Sequence, residues 1–523
     1  MRLSRRAGPG AGSATRPVAL GALCTLLFLT FLDNTIVSVA LGSIQAHLRA
    51  GVSNLQWVVS AYALTFASLM LACGMIGDEL GRKKVMLTGA GVFCAGSVLC
   101  ALAPGISVLI AGRAIMGLGA AASEPGTLSM LRQLYTDEEA RNRAVGVWAG
   151  VSGLALALGP VVGGVLVGIW DWRAIFWFNL ALGLVALTVA GAVLPESADP
   201  DAHRVDTAGT FAGAAALAAL VFAVINGEKL GFGSPTVVIL FAVSVAAGVV
   251  FVWRERRAAH PLLDLRYLRV PGFSTANVAA FCTYFATFAI FFFTALYLGE
   301  VVGYSAFRIA LVFLPMTVLM IVCAVVSGRL TNPVGPRILV TVGCAVFAAG
   351  LILTNASLGP SPAYLPLAGA LALTGIGIGT TVAPITSSVL SAVPARLSGM
   401  AASAANTCRE IGAVTGVAVL GALVNAQLRH HLTTSLHHLH VPLTFDSIII
   451  NALETGGVPS GGHTSGVGGS LAAGQGKLVT EVIDAAYAAF QAGLRDALYL
   501  SAGLVVLAGV LALVTLRRVA PAS

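Results

Sequence analysis

Apolar runs of roughly 20 residues recur along the whole chain, and each is long enough to cross a bilayer as a helix. Short polar or Gly/Pro-bearing joints separate them, such as Ala-Pro-Gly at 103–105 and Gly-Pro-Ser-Pro at 359–362. The pattern predicts fourteen helices, at 18–41, 55–77, 85–103, 107–131, 142–168, 174–194, 208–226, 235–253, 273–299, 307–329, 336–355, 363–390, 403–427 and 497–516. The expected fold class is an all-α membrane protein. One segment breaks the rhythm: residues 428–496 read as a long outer loop, rich in Gly and Ser at 456–470, with flanks that could be helical. It could be a flexible cap over an outer mouth or a tolerated insertion.

Composition and charge sharpen this picture. Of the 523 residues, 57% are hydrophobic and 10% charged, against about 25% charged in soluble domains. The first apolar run follows a basic head (Arg2, Arg5, Arg6, Arg16). It is too long for a cleaved leader and has no small-residue cleavage site, so the first helix is expected to stay in the membrane. The net charge of +8 is distributed as a topology signal and not as a nucleic-acid patch. With the N-terminus inside, the cytoplasmic segments hold 21 basic residues and the outer segments 6. Both termini are therefore expected in the cytoplasm. All eight cysteines lie in predicted helices, so no disulfide framework is expected. No phosphate-binding G-x-x-x-x-G-K-[ST] loop and no Gly-x-Ser-x-Gly elbow is present. Direct ATP use and enzymatic chemistry are not expected.

The chain also repeats itself. Gly74–Lys83 (GMIGDELGRK) and residues 328–337 (GRLTNPVGPR) each place two glycines seven apart, then basic residues, then a new helix, with an offset of 254 residues. Two six-helix halves separated by an extra helix pair fit this arithmetic (6 + 2 + 6). The expected parts are a tail at 1–17, a bundle at 18–194, an inserted pair with linkers at 195–272, a bundle at 273–516 containing the 428–496 loop, and a tail at 517–523. Parallel membrane repeats of this kind mark secondary transporters, whose substrate site lies between the halves.

Candidate chemistry sits where charge interrupts apolar helices. Asp33, in LDNTIVSVAL at 32–41, costs ~2.5–3.5 kcal/mol to place at a helix centre. It falls about 15 residues into the first helix, ~22 Å along it and past the midplane toward the outside. It could stand in a static ion pair, or it could change charge by exchanging a proton. Arg113, in GRAIMGLGAAASEPG at 112–126, is expected at a similar depth and could communicate with Asp33 across a cavity, or merely anchor packing. Glu124, in the same helix, could bind a cation or a second proton, or be solvated near the inner surface. In GMIGDELGRKK at 74–84, glycines permit a tight turn, and Asp78 could cap the next helix or pair with a neighbouring basic residue. In the run Gly146–Gly164, with GPVVGG at 159–164, small residues allow close helix approach and Pro160 can bend the helix. HHLTTSLHHLH at 430–440 spaces histidine pairs seven apart, on one helix face. A solvated helix extension is the plainer reading there than a metal site.

Taken together these motifs resemble the fourteen-helix drug/proton antiporter branch of the major facilitator superfamily, over helices 1 to 14 without the 428–496 loop. WRAIFWFN at 172–179, ALYLGEVVGYSAFRIALVFLP at 295–315 and NTCREIGAVTGVAVLGAL at 406–423 extend the likeness. The chain departs from the pattern at Ser38 and Gly42, Glu79, Glu124, Ala155 and Glu410. The resemblance implies a major facilitator fold and proton-coupled export of amphipathic drugs or antibiotics by alternating access. It implies a multi-pass protein of the bacterial plasma membrane, acting as a monomer, with the proton gradient as energy source and no cofactor or metal. The implied proton-coupling residues are Asp33, Arg113 and Glu124. Substrate would meet Asp33, Glu124, Trp57, Tyr62, Tyr284 and Phe288, the aromatic rings and acids suiting a lipophilic cation. Gly74, Gly77, Asp78, Gly81, Arg82, Lys83, Gly159, Pro160, Gly163, Gly164 and Arg409 would serve gating and structure, Arg409 and Glu410 lying near the cytoplasmic end. Alternatives are a self-resistance exporter of one antibiotic in its producer, a proton symporter for uptake and, from another class, a membrane enzyme or sensor.

Overall fold

Fourteen helical segments build the chain in a computed structural model that describes residues 16–135, 137–197, 206–258, 264–394, 398–438 and 473–516. They are α1 Arg16–Leu48, α2 Val52–Leu80, α3 Arg82–Ala101, α4 Ile106–Leu134, α5 Glu138–Ile169, α6 Arg173–Val193 and α7 Thr207–Leu230. The series continues with α8 Pro235–Arg257, α9 Pro271–Glu300, α10 Ala306–Val334, α11 Pro336–Ser357, α12 Tyr364–Ser391, α13 Ser398–His438 and α14 Ala473–Thr515. Among the described residues, 13 helices are long and apolar enough to cross a membrane. The remaining one, α2, is 29 residues long, and its stretch 58–75 carries no charged residue.

Two boundaries that differ from the hydropathy reading move a functional residue. The first helix continues to Leu48, because the polar residues Ser43, Gln45 and His47 extend the helix although they end the apolar run. Asp33 is thus central along α1. Helix α13 begins at Ser398, since the Ser, Gly and Asn of residues 398–406 dilute its alanines yet the stretch is helical, so Arg409 and Glu410 lie well inside it. The flanks of the long loop are helical, α13 running to His438 and α14 starting at Ala473. The tails at 1–15 and 517–523 and the loop centre, 439–472, lie outside the described residues.

The repeat is visible in the turns. Gly81 (φ 114°) and Gly335 (φ 89°) each close one helix and open the next with a single residue. A positive φ at both positions is the conformation that glycine adopts without steric cost. Two irregularities repeat at the same offset. Helix α1 tightens into a 3₁₀ turn at Val37–Ala40; adding 254 gives 291–294, inside the π-turn Ile290–Thr294 of α9.

Packing sorts most helices into two groups. Helices α3 and α4, α2 and α4, α1 and α5, α3 and α6, and α1 and α6 are neighbours, as are α10 and α12, α11 and α12, α9 and α13, α11 and α14, and α13 and α14. The groups meet along α2–α13 and α5–α10. At one end of this seam Gly42 of α1 lies beside Glu300 of α9. Helices α7 and α8 pack on each other, and α7 also packs on α2 and α13.

Candidate functional site

The α1–α5 contact shows how backbone and side chain set up the site. Pro160 lies inside α5 and has no N–H to give the carbonyl of Leu156 one turn earlier. Thr35 Oγ1 of α1 donates to that carbonyl at 2.9 Å. A side chain on Gly159 would strike Thr35, and one on Gly163 would strike Ile36 and Val39. Gly164 is equally close to Ala310 of α10. The small-residue run of α5 is therefore wedged between α1 and α10, and it fixes α1 two residues from Asp33.

Asp33 is 0% exposed and Arg113 is 1% exposed, and they form an ion pair between α1 and α4. Asn179 of α6 donates from Nδ2 to the other carboxylate oxygen of Asp33 at 2.6 Å. Arg113 Nε donates to the Val58 carbonyl of α2 at 2.9 Å. The Arg113 guanidinium lies 4.5 Å from the centroid of the Tyr62 ring. Tyr62 in turn donates its hydroxyl to the Thr30 carbonyl at 2.9 Å. Two charges taken out of water are tolerable only with such a set of partners. The pair thus ties α1, α2, α4 and α6 together within one group of helices.

A second polar cluster crosses between the groups. Glu124 of α4 is 2% exposed and accepts from Asn406 Nδ2 of α13 at 3.1 Å. Arg409 donates to Asn406 Oδ1 at 2.9 Å and to Thr386 of α12 at 2.5 Å. Its guanidinium lies 5.6 Å from the Tyr284 centroid, and Tyr284 stacks on Phe288 with centroids 6.2 Å apart. Glu410, also 2% exposed, accepts from Asn34 of α1 at 3.4 Å. Its Oε2 has no hydrogen-bond partner among the described residues. Arg409 and Glu410 are therefore interior residues, not end-of-helix ones.

The predicted site residues divide accordingly. Asp33, Arg113 and Tyr62 come together, as do Glu124, Arg409, Tyr284 and Phe288. Trp57 is half-buried with its ring 4.4 Å from that of Phe222 on α7. Gly74 packs beside Pro125 of α4, and Gly77 beside Arg82 and Val85. The backbone N–H groups of Arg82 and Lys83 donate to Ser197 O (2.7 Å) and Glu196 Oε1 (3.1 Å), and Lys83 Nζ donates to the Gly191 carbonyl at 2.8 Å. This loop braces α3 against the end of α6. The side chains of Asp78, His431, His437 and His438 lie outside the described residues. Asn34, Asn179 and Asn406 are not singled out as site residues by the sequence, and Glu410 reads there only as a gate residue beside Arg409. The available signal was a polar residue beside each charge already noted: Asn34 follows Asp33, and Asn406 and Glu410 flank Arg409.

The chain matches the family model described as Major Facilitator Superfamily over residues 23–417. It is 34% identical over 443 residues to "Multidrug resistance protein Stp" of Mycobacterium tuberculosis (strain CDC 1551 / Oshkosh), covering 83% of this chain and 82% of that one. It is 35% identical over 413 residues to "Methylenomycin A resistance protein" of Bacillus subtilis (strain 168), covering 79% and 88%. Among solved structures, a bacterial homolog of the human lysosomal transporter Spinster, in an inward-facing and occupied conformation, superposes with a TM-score of 0.62 at 15% identity, covering 96% of this chain and 97% of that one.

Proposed function

The chain belongs to the Major Facilitator Superfamily, and from that premise we propose that it is a proton-coupled exporter of amphipathic drugs or antibiotics. In this reading two six-helix bundles, α1–α6 and α9–α14, rock about a site between them, with α7 and α8 as an added pair and both termini cytoplasmic. The names of the relatives, a multidrug resistance protein and an antibiotic resistance protein, support export over uptake. The membrane is the bacterial plasma membrane, and the working unit is a monomer.

The observation that carries the reading is the buried cluster spanning the seam. Glu124 and Glu410 reach their partners Asn406 and Asn34 across the two helix groups. Opening the seam must break those bonds, so a proton or a cationic substrate arriving at either carboxylate changes the free energy of opening. Asp33 plays the complementary part. While ionised it holds Arg113; once protonated it releases the guanidinium and loosens α1 from α4. Each inward proton gains ~2.3 kcal/mol per 100 mV of membrane potential. Arg409 sits between the acids and the Tyr284–Phe288 stack, where it serves substrate positioning and not a cytoplasmic gate. Gly74, Gly77, Gly81, Arg82 and Lys83 brace the α2–α3 turn, and Gly159, Pro160, Gly163 and Gly164 form the sliding face of α5.

Substrate-induced proton movement in inside-out vesicles tests the proposal, with ethidium and a panel of antibiotics as substrates. Proton release on substrate addition, absent in Asp33→Asn, is the expected result. A substrate-dependent signal unchanged in Asp33→Asn, Glu124→Gln and Glu410→Gln would remove the coupling model. A response to one antibiotic class only would favour the narrower reading, a dedicated self-resistance exporter, for which the methylenomycin A resistance relative is the supporting observation.

A further inference from the structure

A cavity of about 440 Å³ lies between α2, α7, α8, α9 and α13, away from the charged cluster. It is in the half of the molecule that carries the α2–α3 turn, since Thr210 near the start of α7 and Phe251 near the end of α8 line it. No Asp, Glu, Lys or Arg is among its described lining residues. The volume falls within the ~300–1,000 Å³ of small-molecule pockets.

Helix α13 separates this cavity from the charged cluster. Ala404, Thr407, Cys408 and Ile411 line the cavity, at spacings of three, four and seven that place them on one helix face. Asn406, Arg409 and Glu410 project from the opposite face. The cavity is thus a space behind α13, walled on its far side by the α7–α8 pair. Three of its lining residues carry a buried oxygen with no hydrogen-bond partner among the described residues: Ser68 Oγ, Asn277 Oδ1 and Thr407 Oγ1. Buried polar groups left unpaired cost ~1–3 kcal/mol each, so an occupant bearing an N–H or O–H is favoured over a bare hydrocarbon tail.

We propose that this cavity is a second ligand site, taking an uncharged, compact lipophile with a hydrogen-bond donor out of the bilayer. An occupant would lie against the segment of α13 that presents Asn406, Arg409 and Glu410 to the seam, and would bias how far that segment can move. The proposal requires the chain to be embedded in a bilayer but is independent of proton coupling.

The test uses the full chain in nanodiscs and N-phenyl-1-naphthylamine, an uncharged probe with one N–H, titrated by fluorescence with empty nanodiscs subtracted. Saturable binding is expected in the wild type. Gly248→Leu fills the cavity with little backbone cost, because a Cβ there meets only Ala216 Cβ at 4.0 Å; it should abolish saturation. The pair Thr407→Val with Asn277→Leu should raise the Kd about tenfold. Ethidium binding, retained within about twofold in these variants, reports that the protein is folded. The proposal is overturned if no saturable probe signal exceeds the empty discs, or if Gly248→Leu leaves it intact. It is overturned equally if Glu124→Gln or Glu410→Gln removes it, which would place the probe in the charged cluster. Displacement by tetradecane, with no dependence on Thr407 or Asn277, would make the cavity a lipid-tail groove instead. None of these readouts involves protons or transport, so failure here and failure of the export mechanism are separable.

Discussion

The two buried charged clusters use similar residues to opposite ends. Around Asp33 both carboxylate oxygens and the guanidinium have partners, and those partners come from α1, α2, α4 and α6. Around Glu124 and Glu410 the bonds run between α4 or α1 and α13 through asparagines, and Glu410 Oε2 has no hydrogen-bond partner among the described residues. An ionised pair with partners on both carboxylate oxygens holds α1, α4 and α6 together within one group. A sparsely satisfied pair of acids across the seam is stable only in one arrangement of the groups. With Asp33 ionised, the first cluster therefore ties helices within one group, and the second joins the two groups.

The largest expected effect breaks this contrast directly. Arg113→Ala leaves Asp33 buried without its counter-charge and should destabilise the protein by ~3–5 kcal/mol. It should appear as a lowered Tm in detergent, with most of the loss recovered when Asp33→Asn is added. Glu410→Gln should cost no more than about 1 kcal/mol, since the carboxylate has one weak acceptor bond to lose. Equal losses for the two single variants would erase the distinction between the clusters.

A smaller effect isolates the wedge beneath Asp33. Thr35→Val strips the Leu156 carbonyl of its donor and should cost ~1–3 kcal/mol. In a Pro160→Ala background the backbone N–H returns, so the same change should cost far less; a double-mutant cycle reads the coupling. The smallest effect lies where α7 meets α8. Asp206 caps α7 through Gly209 N at 3.0 Å and binds Arg254 of α8 at 2.7 Å. Hydrogen bonding from Arg254, then from the Gly209 backbone, holds its carboxyl below the usual carboxylate range. Its contribution is present above the unfolded-state pKa and is lost as pH falls through the lower folded-state value. Asp206→Ala should cost ~1 kcal/mol at neutral pH, with the difference from wild type vanishing in acid.

Much of the fold was legible because membrane helices announce themselves by length and apolarity. Helix ends were less so, because Ser43–Leu48 and Ser398–Asn406 are helical without being apolar. Asp33 and Arg113 were legible as a pair because each is a lone charge in an apolar run. The partnership of Glu410 with Asn34 was not. It joins residues 376 positions apart, and no local pattern encodes which helix faces which. Trp57 shows the converse limit: an aromatic residue in the right helix points at Phe222 of α7, and periodicity alone does not choose between the two sides of α2.

The single-residue turns at Gly81 and Gly335 also have a mechanical meaning. One glycine joins two long helices at each turn, so any change in the angle between those helices has to be absorbed by the two backbone dihedrals of that residue. A side chain there would resist the positive φ and narrow the range of angles the joint can take.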